Sequence, residues 1–346
     1  MKKNIFITGG AGYVGSVLVP KLLNLNFNVT VYDLMMYGTN VIEKHPNLTK
    51  INGDIRNASL LKKNSNLTLI EGDIRDINLL SKSLKNHDSI IHLACISNDP
   101  SFELNPTLGK SINLDTFRPL VETSIETGVN QFIYASSSSV YGVKNENNVR
   151  EDMSLDPLTD YSLFKAECEK ILSEYESDNF ITTTLRPATV CGFAPRQRLD
   201  VVVNILTNLA FHKREITIFG GKQLRPNINI QDMANAYISI IEAPIEKINK
   251  QVFNVGGENH SVQELANIVK KIIGEDVSLI TTPTNDNRSY HISSEKIKEA
   301  INFKTIYSIE DAVLGLKNAF EEKKLIDPLQ NKLYFNIKTM QSIKMV

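Results

Sequence analysis

The stretch Thr8-Gly9-Gly10-Ala11-Gly12-Tyr13-Val14-Gly15 constrains this chain more than any other, because it joins a short apolar run, Ile5-Phe6-Ile7, to an apolar-periodic segment over 14–19. That order predicts strand, glycine turn, helix. Glycines at 9, 12 and 15 permit a tight turn, a close approach of a pyrophosphate to the helix N-terminus, and close packing of the helix on the strand. A second apolar run, Val29-Thr30-Val31-Tyr32, ends in Asp33, at the distance of about twenty residues that a dinucleotide fingerprint requires. A carboxylate there accepts from both ribose hydroxyls and repels a 2′-phosphate. The features together predict a dinucleotide site that prefers NAD to NADP.

Hydrophobic residues make up 42% of the 346, and the formal net charge is −1. That is an ordinary globular composition, large enough for one big domain or two fused lobes. Charges of both signs are scattered, so no basic stripe is offered to nucleic acid. No segment reads as a membrane span. Met1-Lys2-Lys3 resembles the start of a signal peptide, but the apolar run behind it stops at the glycine turn without a cleavage site, and a cytoplasmic location is expected. Cys95, Cys168 and Cys191 are too far apart to form a disulfide framework or a metal-ligand cluster. They read as core or pocket-wall thiols, and no metal is expected.

Strand-like runs alternate with helical patterns: Ile90-Ile91-His92-Leu93, then 107–127; Phe132-Ile133-Tyr134-Ala135, then 160–176; Thr182-Thr183-Thr184-Leu185. The alternation predicts an α/β fold, a doubly wound parallel Rossmann sheet over 1–187 with a return segment near 226–256. Beyond 187, turn-rich segments mix with helices at 199–212, 231–242, 261–273 and 309–322. A smaller, mixed C-terminal substrate-binding lobe is expected over 188–325. The extension 326–346 is poorly patterned and reads either as a docked segment or as a frayed end.

A tandem duplication interrupts the first domain: Asn47-Leu48-Thr49-Lys50-Ile51-Asn52-Gly53-Asp54-Ile55-Arg56 recurs as Asn66-Leu67-Thr68-Leu69-Ile70-Glu71-Gly72-Asp73-Ile74-Arg75. Two copies at so short a period do not make a solenoid. The second copy leads through one helix length into Ile90-Ile91-His92-Leu93, so it is expected in the sheet, and the first is expected to be an insertion.

Tyr161-Ser162-Leu163-Phe164-Lys165 sets a phenol and an ammonium on one helix face. With eleven tyrosines in the chain, such a pair arises by chance about once, so its weight comes from position. It follows Ala135-Ser136-Ser137-Ser138-Ser139-Val140-Tyr141-Gly142, which leaves a predicted strand at its C-terminal end, where open α/β sheets bind ligands. A phenol of ordinary pKa near 10 becomes a base at neutral pH only if its phenolate is stabilised, which a nearby ammonium and a positive nicotinamide ring would do.

With these residues in place, the chain resembles the extended short-chain dehydrogenase/reductases that act on nucleotide sugars, from Gly9 to about Ala312. The resemblance implies Tyr161 as acid/base, Lys165 as its partner and ribose ligand, and Ser137 as the hydroxyl on the sugar oxygen. It implies cofactor contacts at Gly9, Gly12, Tyr13, Val14, Gly15, Asp33, Asp73, Ile74, Leu93, Ala94 and Pro187, beside Tyr161 and Lys165, with Asn113 as a buttress. For the substrate it implies Ser138, Ser139, Thr189 and Asn204, with Arg225 and Arg288 as diphosphate ligands. The two arginines also read as solvated surface charges, and Asn204 as a surface amide. The run 186–196 departs from the family's usual Asn-Val-Tyr-Gly-Pro: Cys191 stands where Tyr is common, and Asn229 where His is common before Asp232.

Family members open by oxidising the C4 hydroxyl of a hexose, then diverge. The 4,6-dehydratases carry an Asp-Glu pair directly after the catalytic hydroxyl residue; here those positions are Ser138 and Ser139, which disfavours dehydration. The expected activity is NAD-dependent 4-epimerisation of a nucleotide-diphosphate sugar. The alternative is net 4-dehydrogenation or 4-ketoreduction, for example on a GDP-heptose, because 186–204 resembles a subgroup with that activity; a non-catalytic NAD-sensing module is the third reading. The family also packs two helices into an intermolecular bundle. The resemblance therefore implies a homodimer; Leu114, Phe117, Leu120, Val121 and Ile125, against Leu163, Phe164 and Ile171, are compatible with such a buried face and also with packing on their own sheet.

Overall fold

The computed structural model describes residues 3–38, 66–144, 146, 148–284, 289 and 291–345, and the backbone of 48–52. Strands are numbered in chain order: β1 (Asn4–Thr8), β2 (Asn28–Asp33), β3 (Leu48–Asn52), β4 (Leu67–Glu71), β5 (Ser89–His92), β6 (Gln131–Ala135), β7 (Ile181–Pro187), β8 (Thr189–Cys191), β9 (Glu215–Phe219), β10 (Leu224–Asn229), β11 (Gln251–Val255), β12 (Glu258–Ser261) and β13 (Ser278–Thr282).

Eight of them form one sheet in the order β11-β7-β6-β5-β1-β2-β4-β3. Every neighbouring pair is parallel. The strand order reverses between β1 and β5, and such a switch point opens a crevice at the C-terminal strand ends. Apolar residues fill both faces: Ile5, Ile7, Leu18 and Val31 belong to one core, Phe6, Leu80, Phe117 and Phe132 to the other. Two covered faces explain why these strands read as near-continuous apolar runs.

The second copy of the duplication supplies β4, beside β2, as the sequence predicts. The first copy is not a mere insertion. It adds an edge strand, β3, paired with its own duplicate in register, Leu48 opposite Leu67 and Ile51 opposite Ile70. With a side-chain period of two, only an even shift keeps like residues on like faces, and zero shift between copies satisfies that automatically.

The 107–127 pattern is not one helix. It divides into Pro106–Lys110, a π-helical turn at Ser111–Asp115, and Phe117–Glu126. Asn113 lies in the π-turn, where its amide accepts from the Ile96 N–H (2.9 Å) and donates to the Ile96 carbonyl (2.9 Å). Such a bulge re-aims one side chain without ending the helical run.

After β7 the chain builds a mixed sheet, β12-β10-β8, and a parallel pair, β13-β9. Helices Val202–Lys213, Val262–Ile273 and Ile309–Glu321 close around Val203, Leu206, Ile216, Leu265 and Val313. Within the expected return segment, β10 stays with the smaller sheet. Helix Ile230–Glu242 and β11 rejoin the large one. The C-terminal extension is docked: Met340 is buried among the aromatic residues under the large sheet, and helix Asn336–Ser342 reaches the cleft described next.

Candidate active site

A cleft of about 1000 Å³ opens where the strand order reverses. Every residue expected to hold a cofactor lines it: Gly9, Gly12, Tyr13, Val14, Gly15, Asp33, Asp73, Ile74, Leu93, Ala94, Tyr161, Lys165 and Pro187. The glycines divide the work. Gly9 has φ +72°, and a Cβ there would stand 2.6 Å from the Ala94 nitrogen. A Cβ at Gly15 would lie 2.2 Å from the Gly10 carbonyl oxygen, whereas one at Gly12 would meet only the Gly9 oxygen, at 3.1 Å. Packing therefore demands glycine at 9 and 15, and the wall at 12 is left open to a ligand. Helix Gly15–Asn24 starts without a side-chain cap, which suits an anion at its N-terminus. The Asp33 carboxylate accepts from the Ala11 and Met35 N–H groups, both at 2.9 Å, so it also braces the turn. Burial pushes its pKa up, against those two bonds. A glycine cradle, an uncapped helix and a carboxylate at the end of β2 fit a dinucleotide.

On the facing wall, Ser137, Ser138 and Ser139 leave the end of β6, and helix Asp160–Ser173 presents Tyr161 and Lys165. The Lys165 ammonium donates to the Ala135 carbonyl at 2.6 Å and lies 5.9 Å from the centroid of the Tyr161 ring. Burial drives the Tyr161 pKa well above that of a free phenol; Cys95 and Asp99 push the same way, while Arg198 and a hydrogen bond with Ser137 oppose them. The phenol is thus held protonated until further positive charge arrives. Ser137 and Ser139 share a hydroxyl hydrogen bond of 2.8 Å.

Helix and strand are locked together behind these groups. Arg186 of β7 pairs with Glu169 of the Tyr161 helix at 2.7 Å, with side chains 6% and 8% exposed. Glu169 also takes the Ser136 hydroxyl, and Arg186 donates to the Tyr141 hydroxyl at 2.7 Å. A buried pair is favourable only with its remaining hydrogen bonds satisfied, and here they fix the Tyr161 helix against the serine loop. His92, at the end of β5, shares a 2.7 Å hydrogen bond with Thr8. Burial, with Lys165 nearby, lowers its pKa to about 3.

The expected substrate residues divide. Ser138, Ser139, Thr189 and Arg225 line the cleft. Asn204 does not: it is 0% exposed, accepts from the Gly192 N–H (2.8 Å), and donates to the Arg198 carbonyl (2.7 Å) and the Tyr13 hydroxyl (2.9 Å). Its amide knits lobe to glycine turn, with both N–H donors committed and the group fully buried away from the cleft. Arg288 lies outside the described residues. Cys191 and Asn229 are buried structural groups, the latter capping helix Ile230–Glu242. Cys95 stands on the cleft wall, and Cys168 is buried. Tyr37, Ser97, Arg198, Asp200 and Asn336, which no sequence motif marks, also stand on the wall. Short of a motif, the Arg-Gln-Arg run at 196–198 is the one local signal for them. Phe117, Leu120 and Val121, expected at a subunit interface, are fully buried in the chain's own core, while Ile125 and Leu163 are exposed.

Among the described residues, no helix is long and apolar enough to cross a membrane and no His, Cys, Asp and Glu cluster could hold a metal ion.

A parallel sheet with a glycine cradle at its switch point, facing a Tyr/Lys helix, defines a nicotinamide-dependent enzyme. The chain belongs to the NAD dependent epimerase/dehydratase family, whose model matches residues 5–256, and its cofactor is NAD. It is 27% identical to a putative UDP-glucose 4-epimerase of Methanocaldococcus jannaschii over 91% of this chain and 97% of that one. Two solved structures superpose closely. The UDP-glucose 4-epimerase of Thermotoga maritima with UDP-glucose has a TM-score of 0.78 at 26% identity, covering 93% of this chain and 100% of that one. The UDP-glucuronic acid 4-epimerase of Bacillus cereus, with UDP-glucuronic acid and NAD, has 0.76 at 25%, covering 92% and 99%.

Proposed function

We propose that this chain is a nucleotide-sugar 4-epimerase. The observation that carries the reading is the meeting of Ser137 and Tyr161 beside Lys165 at the end of β6, with neutral Ser138 and Ser139 next in line. NAD, held by the glycine turn and Asp33, would supply the hydride acceptor for C4 of the sugar and the hydride that restores it on either face. Tyr161 takes the proton of the C4 hydroxyl and later returns it, while Ser137 holds the same oxygen. Lys165 lowers the cost of the phenolate that burial otherwise forbids. Ser138 and Ser139 can bond a sugar but cannot act as the acid and base of an elimination across C5 and C6. Arg225, with Thr189 near it on the lobe side, is suited to the diphosphate, and Arg288 is a second ligand. The named activities of the relatives make UDP-sugars the first substrates to try.

The purified protein is to be incubated with UDP-, GDP-, CDP- and dTDP-sugars without added oxidant. The expected product is the C4 epimer, with no build-up of absorbance at about 340 nm from reduced cofactor. Stoichiometric release of a 4-keto sugar without epimer would overturn the reading in favour of a net 4-dehydrogenase. A homodimer belongs to the same proposal, with exposed Ile125 and Leu163 on the two helices concerned. A monomer mass in sedimentation at micromolar protein would remove it.

A further inference from the structure

The tail is anchored at two places. On the second lobe, Leu325 packs with Leu199, Leu316 and Phe320, and the Leu199 N–H donates to the Tyr334 carbonyl at 2.8 Å. On the Rossmann side, Met340 is buried in the apolar core that includes Phe102, and helix Asn336–Ser342 packs on helix Asp99–Glu103. Between the anchors lies Asn336, 4% exposed. Its side-chain oxygen accepts from the Tyr37 hydroxyl (2.9 Å) and an Arg196 terminal nitrogen (2.8 Å), and its amide nitrogen donates to the Ser97 hydroxyl (3.0 Å). Its own N–H donates to Asp200 at 2.7 Å. These partners follow β2, β5 and β8, so one asparagine joins three separate walls of the cleft.

The Arg196 guanidinium lies 3.4 Å from the centre of the Tyr37 ring, and its backbone N–H donates to the Ser16 hydroxyl (3.2 Å) in the first turn of the helix behind the glycine cradle. Arg198 bonds Ser97 (3.0 Å) and Asp200 (2.6 Å). Buried though they are, Arg196 Nε and Arg198 Nη2 have no hydrogen-bond partner among the described residues. Unsatisfied guanidinium donors beside an uncapped helix favour an anionic diphosphate.

We propose that the segment 325–345 is a strap that retains the dinucleotide in its cleft, with Asn336 as the positioning residue that ties the strap to both lobes and holds Arg196 and Tyr37 on the cofactor side. Release of the dinucleotide then requires the strap to undock, so its docking free energy enters the barrier in both directions. The inference rests on NAD binding and not on which sugar is converted.

The test loads the full-length protein with 1,N6-etheno-NAD and chases it with excess NAD in a stopped-flow fluorimeter, without sugar. The variants are Asn336→Ala and Met340→Ala, the latter because Met340 lines no part of the cleft. Each should release the analogue about tenfold faster or more, and should also bind it faster, since the same obstacle slows entry and exit. Release within twofold of the wild-type rate in a folded variant overturns the strap. So does faster release with slower binding, which is the signature of a damaged site. Because no sugar enters the measurement, a chain that epimerised no nucleotide sugar would leave this result standing.

Discussion

The two halves of the cleft are built differently. The cofactor half is made of short contiguous pieces, a glycine turn, the ends of β2, β4 and β7, the loop after β5 and one turn of the Tyr161 helix, and all of its expected residues reach the wall. The substrate half is assembled from lobe segments far apart in the chain, and its expected residues scatter: Arg225 and Thr189 are on the wall, while Asn204 is withdrawn into a buried hydrogen-bond network. A ligand gripped by backbone and glycine leaves a local trace in sequence. One gripped by side chains from separate elements does not.

The largest effect should fall on the border between the halves. Tyr161→Phe is expected to lower kcat by about 10²–10⁴ while NAD binding is kept. Burial holds the native phenol protonated, so wild-type turnover should rise as pH rises towards the phenol's pKa, and the acid limb should vanish in the variant. A pH–rate profile on both proteins checks it; near-wild-type turnover in Tyr161→Phe would take the residue out of the mechanism.

A smaller effect should separate the halves outright. Arg225→Ala is expected to raise KM for the nucleotide sugar by about ten- to a hundredfold through lost diphosphate contacts, with the NAD dissociation constant unchanged. Were NAD binding to weaken equally, the two halves would not be distinct.

On the cofactor side, Asp33→Asn removes the charge and keeps one of the two acceptors that brace the turn, the amide oxygen. Discrimination against NADP should fall by about tenfold. Equal affinities of the wild-type chain for NAD and NADP in a titration would show that the carboxylate sets no preference.

The smallest effect is expected from deleting 47–65, which removes one copy of the duplication and leaves β4, with Asp73 and Ile74 behind it, next to β2. Turnover and NAD affinity should stay within about twofold, because β3 touches the sheet only at its outer edge. A larger loss would give the edge strand a part in the cofactor half.

Much of this was legible beforehand. The parallel sheet, the NAD cradle and the Tyr161–Lys165 helix follow from local patterns: apolar period, glycine spacing, and two residues one helical turn apart. The division of 107–127 was not legible, since the π-turn exists to let Asn113 clasp the Ile96 backbone, a partner seventeen residues away. Nor was the failure of Asn204 to reach the cleft, because an amide on a helix has the same letter whether it meets a sugar or Tyr13.

The sequence by itself therefore determined the class of fold and the chemistry of the cofactor wall, both written in neighbouring residues whose spacing sets which face they share. Only the tertiary structure decided where the first of the two near-identical copies goes. Position beside β2 makes one a cofactor wall and the other an edge, though the residues are nearly the same. It also decided that a tail without periodicity is docked, because Asn336 draws its order from Tyr37, Ser97, Arg196 and Asp200, none of them its neighbours in the chain. Hydrogen bonds between distant segments have no period to read, so they become visible only when the chain has closed on itself.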